Sequence, residues 1–402
     1  MLRQLPALLV CTAIVACSQA VGQSRSPYVP TADAVSASSS GGSGYRVLHY
    51  FTKYGFDPRA PLIVVNGTLY GTTYAGGGAA GCPVTAGCGT VFSMTTTGRV
   101  RVLHRFQSGT DGAYPTSLID VKGTLYGTTV SGGGIDCDGN GCGTVFSMST
   151  SGTKRLLYSF HGPDGAAPYA SLVEVNGALY GTTINGGAHN GGTAFRISLS
   201  GEETVLHSFG KGSDGAFPYS SLIDVNGALY GTTYFGGVHK KGTVFRIGTH
   251  GSEQVLYSFG RNRSDGYNPE AGLATLGGTM YGTTLNGGLY QNENGGGGTV
   301  FGVTTTGVET VLHNFSGNPD GACSAAGLIA VKGTLYGTTS LGGTNNAFGT
   351  VFSVSPTGLA GCGNRWENGT NRLLDRHFRV GSRPGFGAFA PFSRFFAHFR
   401  RH

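Results

Sequence analysis

The stretch Leu229–Thr243 reads LYGTTYFGGVHKKGT, and five near-copies of it recur along the 402 residues. A unit repeated at a spacing of about 50 residues cannot bury its apolar face alone, so the copies must pack on one another in an array. One large repeat domain is therefore expected over residues 45–358, in preference to two or three unrelated domains. Each copy holds four short segments in constant order, as in Leu222–Val225, Ala228–Thr233, Gly242–Ile247 and a fourth of the type Val205–Phe209. All four alternate or are rich in β-branched and aromatic residues, and none has a helical period. The expected fold class is all-β.

The first and second segments are separated by two residues: Asn66-Gly67, Lys122-Gly123, Asn176-Gly177, Asn226-Gly227, Gly277-Gly278 and Lys332-Gly333. Such pairs fit type I′ turns and so predict tight antiparallel hairpins. Short turns such as Thr95–Gly98 join the third segment to the fourth. A four-stranded meander of this length is the pattern of a β-propeller blade. The array opens on a lone fourth-type segment, Val47–Phe51, and closes on a third-type segment, Gly349–Val354. An open stack would leave both edges unpaired, whereas a ring lets residues 47–51 complete the last blade. The expectation is a six-bladed β-propeller of four-stranded antiparallel blades. Gly71 and its five counterparts, in mid-strand, are expected where elements approach closely.

The words LYGTT, a glycine pair, GTVF and VLHSF, repeated through residues 47–358, resemble the GloVer tandem repeat of exported bacterial "choice-of-anchor" proteins. The resemblance implies a secreted or surface-anchored, propeller-like array, and it brings no catalytic residue and no established substrate.

The chain ends are of a different kind. Arg3 followed by the apolar run Ala7–Ala16 reads as an export signal over residues 1–16. Ile14-Val15-Ala16-Cys17 matches a lipobox with Cys17 as the lipidated residue, while Ser18-Gln19-Ala20 matches an ordinary cleavage site that would extend the signal to 20. A Ser/Gly-rich tether over 17–44 favours the lipid anchor, so an envelope lipoprotein or a secreted protein is expected. The formal charge of +7 is concentrated at residues 359–402, where eight arginines face Glu367 and Asp375. The repeat domain is nearly neutral and carries no basic stripe for nucleic acid. Phe392, Phe395, Phe396 and Phe399 would share one face of a basic helix suited to an anionic membrane. The other reading of that tail is disorder.

Cys82/Cys88 and Cys137/Cys142 are close pairs in equivalent loops and predict local disulfides in an oxidising compartment. Cys323 with Cys362 is the candidate third bridge. Asp136, Asp138 and Asn140 open a D-x-D-x-N-G calcium pattern, but the twelfth position is Ser147 where a bidentate glutamate belongs, so a disulfide-braced turn competes with calcium as its reading. No other cofactor is expected.

The loops between second and third segments run from eight residues (Ile184–Gly191) to fifteen (Tyr74–Cys88), while the tight turns hardly vary. Antiparallel strands place these loops and the inter-blade links on one face. Variable loops on a rigid frame are where binding commonly resides, and Tyr74, Tyr234, Tyr290 and Gln291 are the candidate contact residues. Asp111, Asp164, Asp214, Asp265 and Asp320 recur before glycine as turn residues or as a carboxylate ring that binds cations. His49, His104, His207 and His313 exchange with Tyr158 and Tyr257, which points to packing and a hydrogen bond more than to metal ligation. No G-x-S-x-G or HExxH motif occurs, and the sole tryptophan, Trp366, lies outside the repeats. The reading is a monomeric, non-catalytic module that binds a glycan or cell-envelope polymer. An extracellular protein partner is second, and an enzyme acting on sugars or lactones is the alternative.

Overall fold

The computed structural model describes residues 46–51, 55–78, 82, 87–290, 297–343 and 349–357. Among these residues the regular structure is antiparallel sheet apart from one 3-10 turn at Gly109–Asp111, and turn chemistry sets the local pattern. All six hairpin pairs have positive φ at both central residues, 54° and 80° at Asn226-Gly227, which is type I′ geometry. In the fourth unit Ile223–Val225, Ala228–Thr233, Thr243–Gly248 and Glu253–Ser258 pair in that order. Four-stranded sheets of this kind span residues 63–105, 113–159, 173–208, 223–258 and 274–314. The sixth, over 329–354, has three strands.

Each word of the repeat has a packing role. The second threonine of LYGTT meets the threonine of GTVF inside the sheet: Thr233 Oγ1 is 2.8 Å from Thr243 Oγ1, and the same pair recurs in all six sheets. The first threonine reaches sideways. Thr72, Thr232 and Thr283 donate to the carbonyls of Thr116, Ala271 and Ser324, on the chain entering the next sheet. A Cβ on Gly231 would stand 2.7 Å from Phe245 Cζ and 3.0 Å from Leu222 Cδ2, and the five equivalent glycines are roofed by the same Phe–Leu pair. The close approach expected at Gly71 is therefore that of the GTVF phenylalanine to its own sheet.

Five apolar cores lie between the six consecutive sheets. In each, the phenylalanine after one sheet's fourth strand meets the GTVF phenylalanine of the next. Ring centroids are 5.4 Å apart for Phe106–Phe146, 5.0 Å for Phe160–Phe195 and 4.9 Å for Phe209–Phe245, with Phe259–Phe301 and Phe315–Phe352 alike. Burial of one such ring is worth about 2–3 kcal/mol, so the repeated phenylalanines bind sheet to sheet.

The two ends of the array differ from its middle. Residues 46–51 are not assigned to a strand, yet they lie on the first sheet much as each fourth strand lies on the sheet after it. Phe51 is 5.2 Å from Phe92, and a Cβ on Gly98 would meet the Leu48 carbonyl as one on Gly251 would meet that of Leu206. Thr350–Val354 pairs on one side only. Its Val351 is 79% exposed, where Val91, Val145, Val244 and Val300 are fully buried. The described residues thus show the sixth sheet without the fourth strand that ring closure would supply.

Candidate functional site

On the loop side, each incoming link pairs with the loop of its own sheet in a short ladder, such as Gly215–Ala216 with Phe235–Gly236 and Gly266–Tyr267 with Asn286–Gly287. The link then bends at one residue in left-handed backbone: Asp57, Tyr114, Ala167, Phe217, Asn268 and Cys323, with φ between 56° and 62°. Five of the six precede proline. Non-glycine residues hold this conformation only where the surroundings impose it, as at Phe217, where both backbone groups are bonded. Phe217 N–H donates to the Gly191 carbonyl of the preceding sheet, and its own carbonyl accepts from Tyr234 N–H.

This bend fixes three variable positions per unit in one place: the bent residue, the residue two further on, and the residue after LYGTT. They assemble an aromatic patch. Tyr114 stacks on Tyr74 with centroids 5.1 Å apart, and the Arg59 guanidinium lies 4.1 Å over Tyr74 and 3.5 Å from the Tyr169 hydroxyl. Tyr169 meets Tyr219 at 6.4 Å, and Tyr219 meets Tyr234 at 5.6 Å. Tyr234 is buried with Leu285 and Ala322, with Phe217 and Phe235 packed alongside. Burial raises the Tyr74 phenol, aided by Tyr169, and raises the Tyr234 phenol to about 12, aided by Glu270. Burial alone raises the Glu270 carboxyl. The phenols therefore stay protonated near neutrality and can donate hydrogen bonds.

Of the candidate contact residues, Tyr74 and Tyr234 join this patch. Tyr290 stands apart and is 54% exposed, and Gln291 lies outside the described residues. Arg59, Tyr114, Tyr169 and Tyr219 carry no signal in their own segments. They emerge only when the residues flanking Pro58, Pro115, Pro168 and Pro218 are compared across units.

Cys82–Cys88 and Cys137–Cys142 are disulfides with Cα separations of 5.5 and 5.3 Å. Cys323 is also disulfide-bonded; Cys362, like Cys17, lies outside the described residues. In the Asp136–Asn140 loop all five residues are exposed. Asp136 Oδ2 pairs with His161 Nδ1 at 2.7 Å, and the Asp136 carbonyl accepts from Gly141 N–H. On the opposite, tight-turn side, a groove of about 590 Å³ opens between the third and fourth sheets beside Tyr180, Arg196 and His250.

The recurring aspartates sit between sheets and accept bonds from residues that precede them. His104, His207 and His313 lie 3.0, 2.8 and 2.9 Å from Asp111, Asp214 and Asp320. Tyr158 and Tyr257 donate to Asp164 and Asp265 at 2.6 and 2.9 Å. Backbone N–H groups of Gln107, His161, Arg261 and Ser316 donate to Asp111, Asp164, Asp265 and Asp320. The next sheet's fourth strand adds one more charged residue at four junctions: Lys154, Glu203, Glu253 and Glu309. Lys154 Nζ lies 2.9 Å from Asp111 Oδ1. Burial raises the Asp111 carboxyl, but bonds from His104 and Lys154 outweigh it and hold the group at about 2. Burial and the neighbouring aspartate push Glu203, Glu253 and Glu309 up to about 7.

Repeated antiparallel sheets with inter-sheet cores and a variable loop side define a propeller-like tandem-repeat protein. A family model described as the Gloeobacter/Verrucomicrobia repeat matches residues 34–237, 79–294 and 211–361, and the chain belongs to that family. No curated protein sequence matches it. Among solved structures, virginiamycin B lyase from Staphylococcus aureus is similar with a TM-score of 0.52 at 16% identity, over 77% of this chain and 84% of that one. A putative 6-phosphogluconolactonase from Bacteroides fragilis aligns over 76% and 83% at 16% identity, with a TM-score of 0.44. The likeness to the lyase shows the propeller-like fold alone.

Proposed function

We propose that this protein is an exported, non-catalytic module that binds a neutral or weakly charged carbohydrate polymer of the cell envelope on the patch of Arg59, Tyr74, Tyr114, Tyr169, Tyr219 and Tyr234. The observation that carries this reading is the convergence of positions that vary among otherwise fixed units, held by a bend with positive φ at every unit. The partly exposed faces of Tyr74, Tyr114, Tyr169 and Tyr219, backed by the buried Tyr234, suit the apolar CH faces of sugar rings, and phenolic hydroxyls with one arginine suit their hydroxyl groups. In this reading residues 46–51 supply the missing fourth strand of the sixth sheet and close six blades into a ring. Cys17 carries the lipid, and residues 17–44 form the tether.

The test is a screen of soluble glycans and cell-wall polymers against the repeat protein and its Tyr169→Ala, Tyr219→Ala and Arg59→Ala variants. Each tyrosine variant is expected to weaken binding about two- to twelvefold, from the roughly 0.5–1.5 kcal/mol of one aromatic contact. Silence of the folded parent across the panel, or binding indifferent to all three changes, would remove the proposal. Ring closure has its own readout in amide exchange: Val351–Val354 and residues 46–51 should be protected together, and fast exchange of both would count against it.

A further inference from the structure

A second kind of site lies between the sheets, away from the aromatic patch. At the first junction the protein supplies its own cation. Lys154, with a side chain 8% exposed, places Nζ 2.9 Å from Asp111 Oδ1 and 2.8 Å from the Asp111 carbonyl oxygen. At the next three junctions the strand position of Lys154 is taken by Glu203, Glu253 and Glu309, opposite Asp164, Asp214 and Asp265. A carboxylate has replaced an ammonium, and the aspartate has stayed.

At each of these junctions one glutamate oxygen lacks a partner. Oε1 of each of the three glutamates is shielded from solvent and accepts no hydrogen bond. Asp265 is only 3% exposed, and while its Oδ2 accepts from Tyr257, Gly260 and Arg261, its Oδ1 is likewise buried and bare. At the middle junction, ligand atoms of His207, Asp214 and Glu253 lie within 4.8 Å of one another. Arg261, 5.9 Å over the Tyr257 ring, is a cation near the third junction, but it gives neither bare oxygen a hydrogen bond. Buried carboxylate oxygens without a donor or a cation are unfavourable.

We propose that Asp164 with Glu203, Asp214 with Glu253, and Asp265 with Glu309 each clamp one hard divalent cation of the calcium type between neighbouring sheets. The ion takes the place that the Lys154 ammonium takes beside Asp111. The donors are carboxylate oxygens, which suit calcium better than zinc. His207 is the partner of Asp214 and not a ligand, because Tyr158 and Tyr257 fill its position at the other two junctions and donate to the same aspartate. His104 likewise bonds Asp111 beside Lys154. Each ion would join two sheets, so the array would be braced by calcium.

The experiment uses the full chain, stripped with EDTA and dialysed against about 1 mM calcium, the range of extracellular calcium modules. Bound metal is counted by atomic absorption and melting is followed by circular dichroism. About three ions per chain and a calcium-dependent rise in Tm are expected. Glu203→Gln, Glu253→Gln and Glu309→Gln should each remove one ion. The triple change Glu203→Lys, Glu253→Lys and Glu309→Lys should bind none and melt at the same temperature with or without EDTA. No bound calcium and no effect of EDTA would overturn the proposal, leaving the carboxyl pairs to share a proton. Binding that survives the glutamine variants but is lost on Asp136→Asn would also overturn it, by placing the ion in the loop.

Discussion

Gly231→Ala tests the packing logic of the repeat at a single atom. Gly231 lies in mid-strand without the positive φ of the turn glycines, so alanine suits its backbone and any cost is steric. The new methyl would stand 2.7 Å from Phe245 Cζ and 3.0 Å from Leu222 Cδ2, against carbon contacts of roughly 3.5–4.0 Å. Phe245 is fully buried and Leu222 nearly so, so the ring must retreat by about 1 Å into a filled core. Overpacking of this kind costs about 1–3 kcal/mol. For a domain this large that lowers Tm by about 2–6 °C, at roughly 2 °C per kcal/mol.

Phe245→Leu removes the ring edge that the methyl meets, and alone it costs about 1–2 kcal/mol as a large-to-small change. Combined with Gly231→Ala it should cost less than the sum, with a coupling of about 1–2 kcal/mol in a double-mutant cycle. Gly227→Ala is the control. A Cβ there meets nothing within 4 Å, but φ is +80°, so its cost is backbone strain that Phe245→Leu cannot relieve. Thermal and urea melts of the parent and these four variants decide the matter. A Gly231→Ala Tm within about 1 °C of the parent, or strict additivity with Phe245→Leu, would refute the steric reasoning.

Three further outcomes are expected. Lys154→Met should destabilise the protein by about 1–3 kcal/mol in urea melts, since Asp111 keeps its burial and loses its ammonium; an unchanged midpoint would deny Lys154 its bracing role. Asp111 is held at about 2, below its usual 3.8, so its stabilising contribution is complete above pH 3.8 and fades as pH falls toward 2. Acid melts should therefore show a loss over that interval which is smaller in Lys154→Met, and identical acid profiles would contradict it. Replacing Cys137 and Cys142 by serine should cost about 2 kcal/mol, the loop-closure value for a short ring, and the variant should lose less Tm in dithiothreitol than the parent, which has one more bridge to lose; equal losses in reductant would rule that out.

What the sequence disclosed and what it hid divide along physical lines. The hairpins were legible because type I′ geometry depends on two adjacent residues, and Asn226-Gly227 carries its own backbone preference. The all-β architecture was legible because every unit repeats the same alternation. The junctions were not, because Glu253 reaches Asp214 from thirty-nine positions on, in the last strand of the sheet that the Asp214 link enters. Reading the aspartates as a column of turn residues saw their constancy and missed the strand position where lysine becomes glutamate. The aromatic patch was hidden for the same reason. Tyr169 and Tyr219 follow prolines in separate links, and only the left-handed bend at Ala167 and Phe217 turns them toward each other. In a repeat protein the constant positions specify how one unit folds. The positions that change from unit to unit specify what neighbouring units do together, so they must be read down the array, each beside its counterpart in the next sheet.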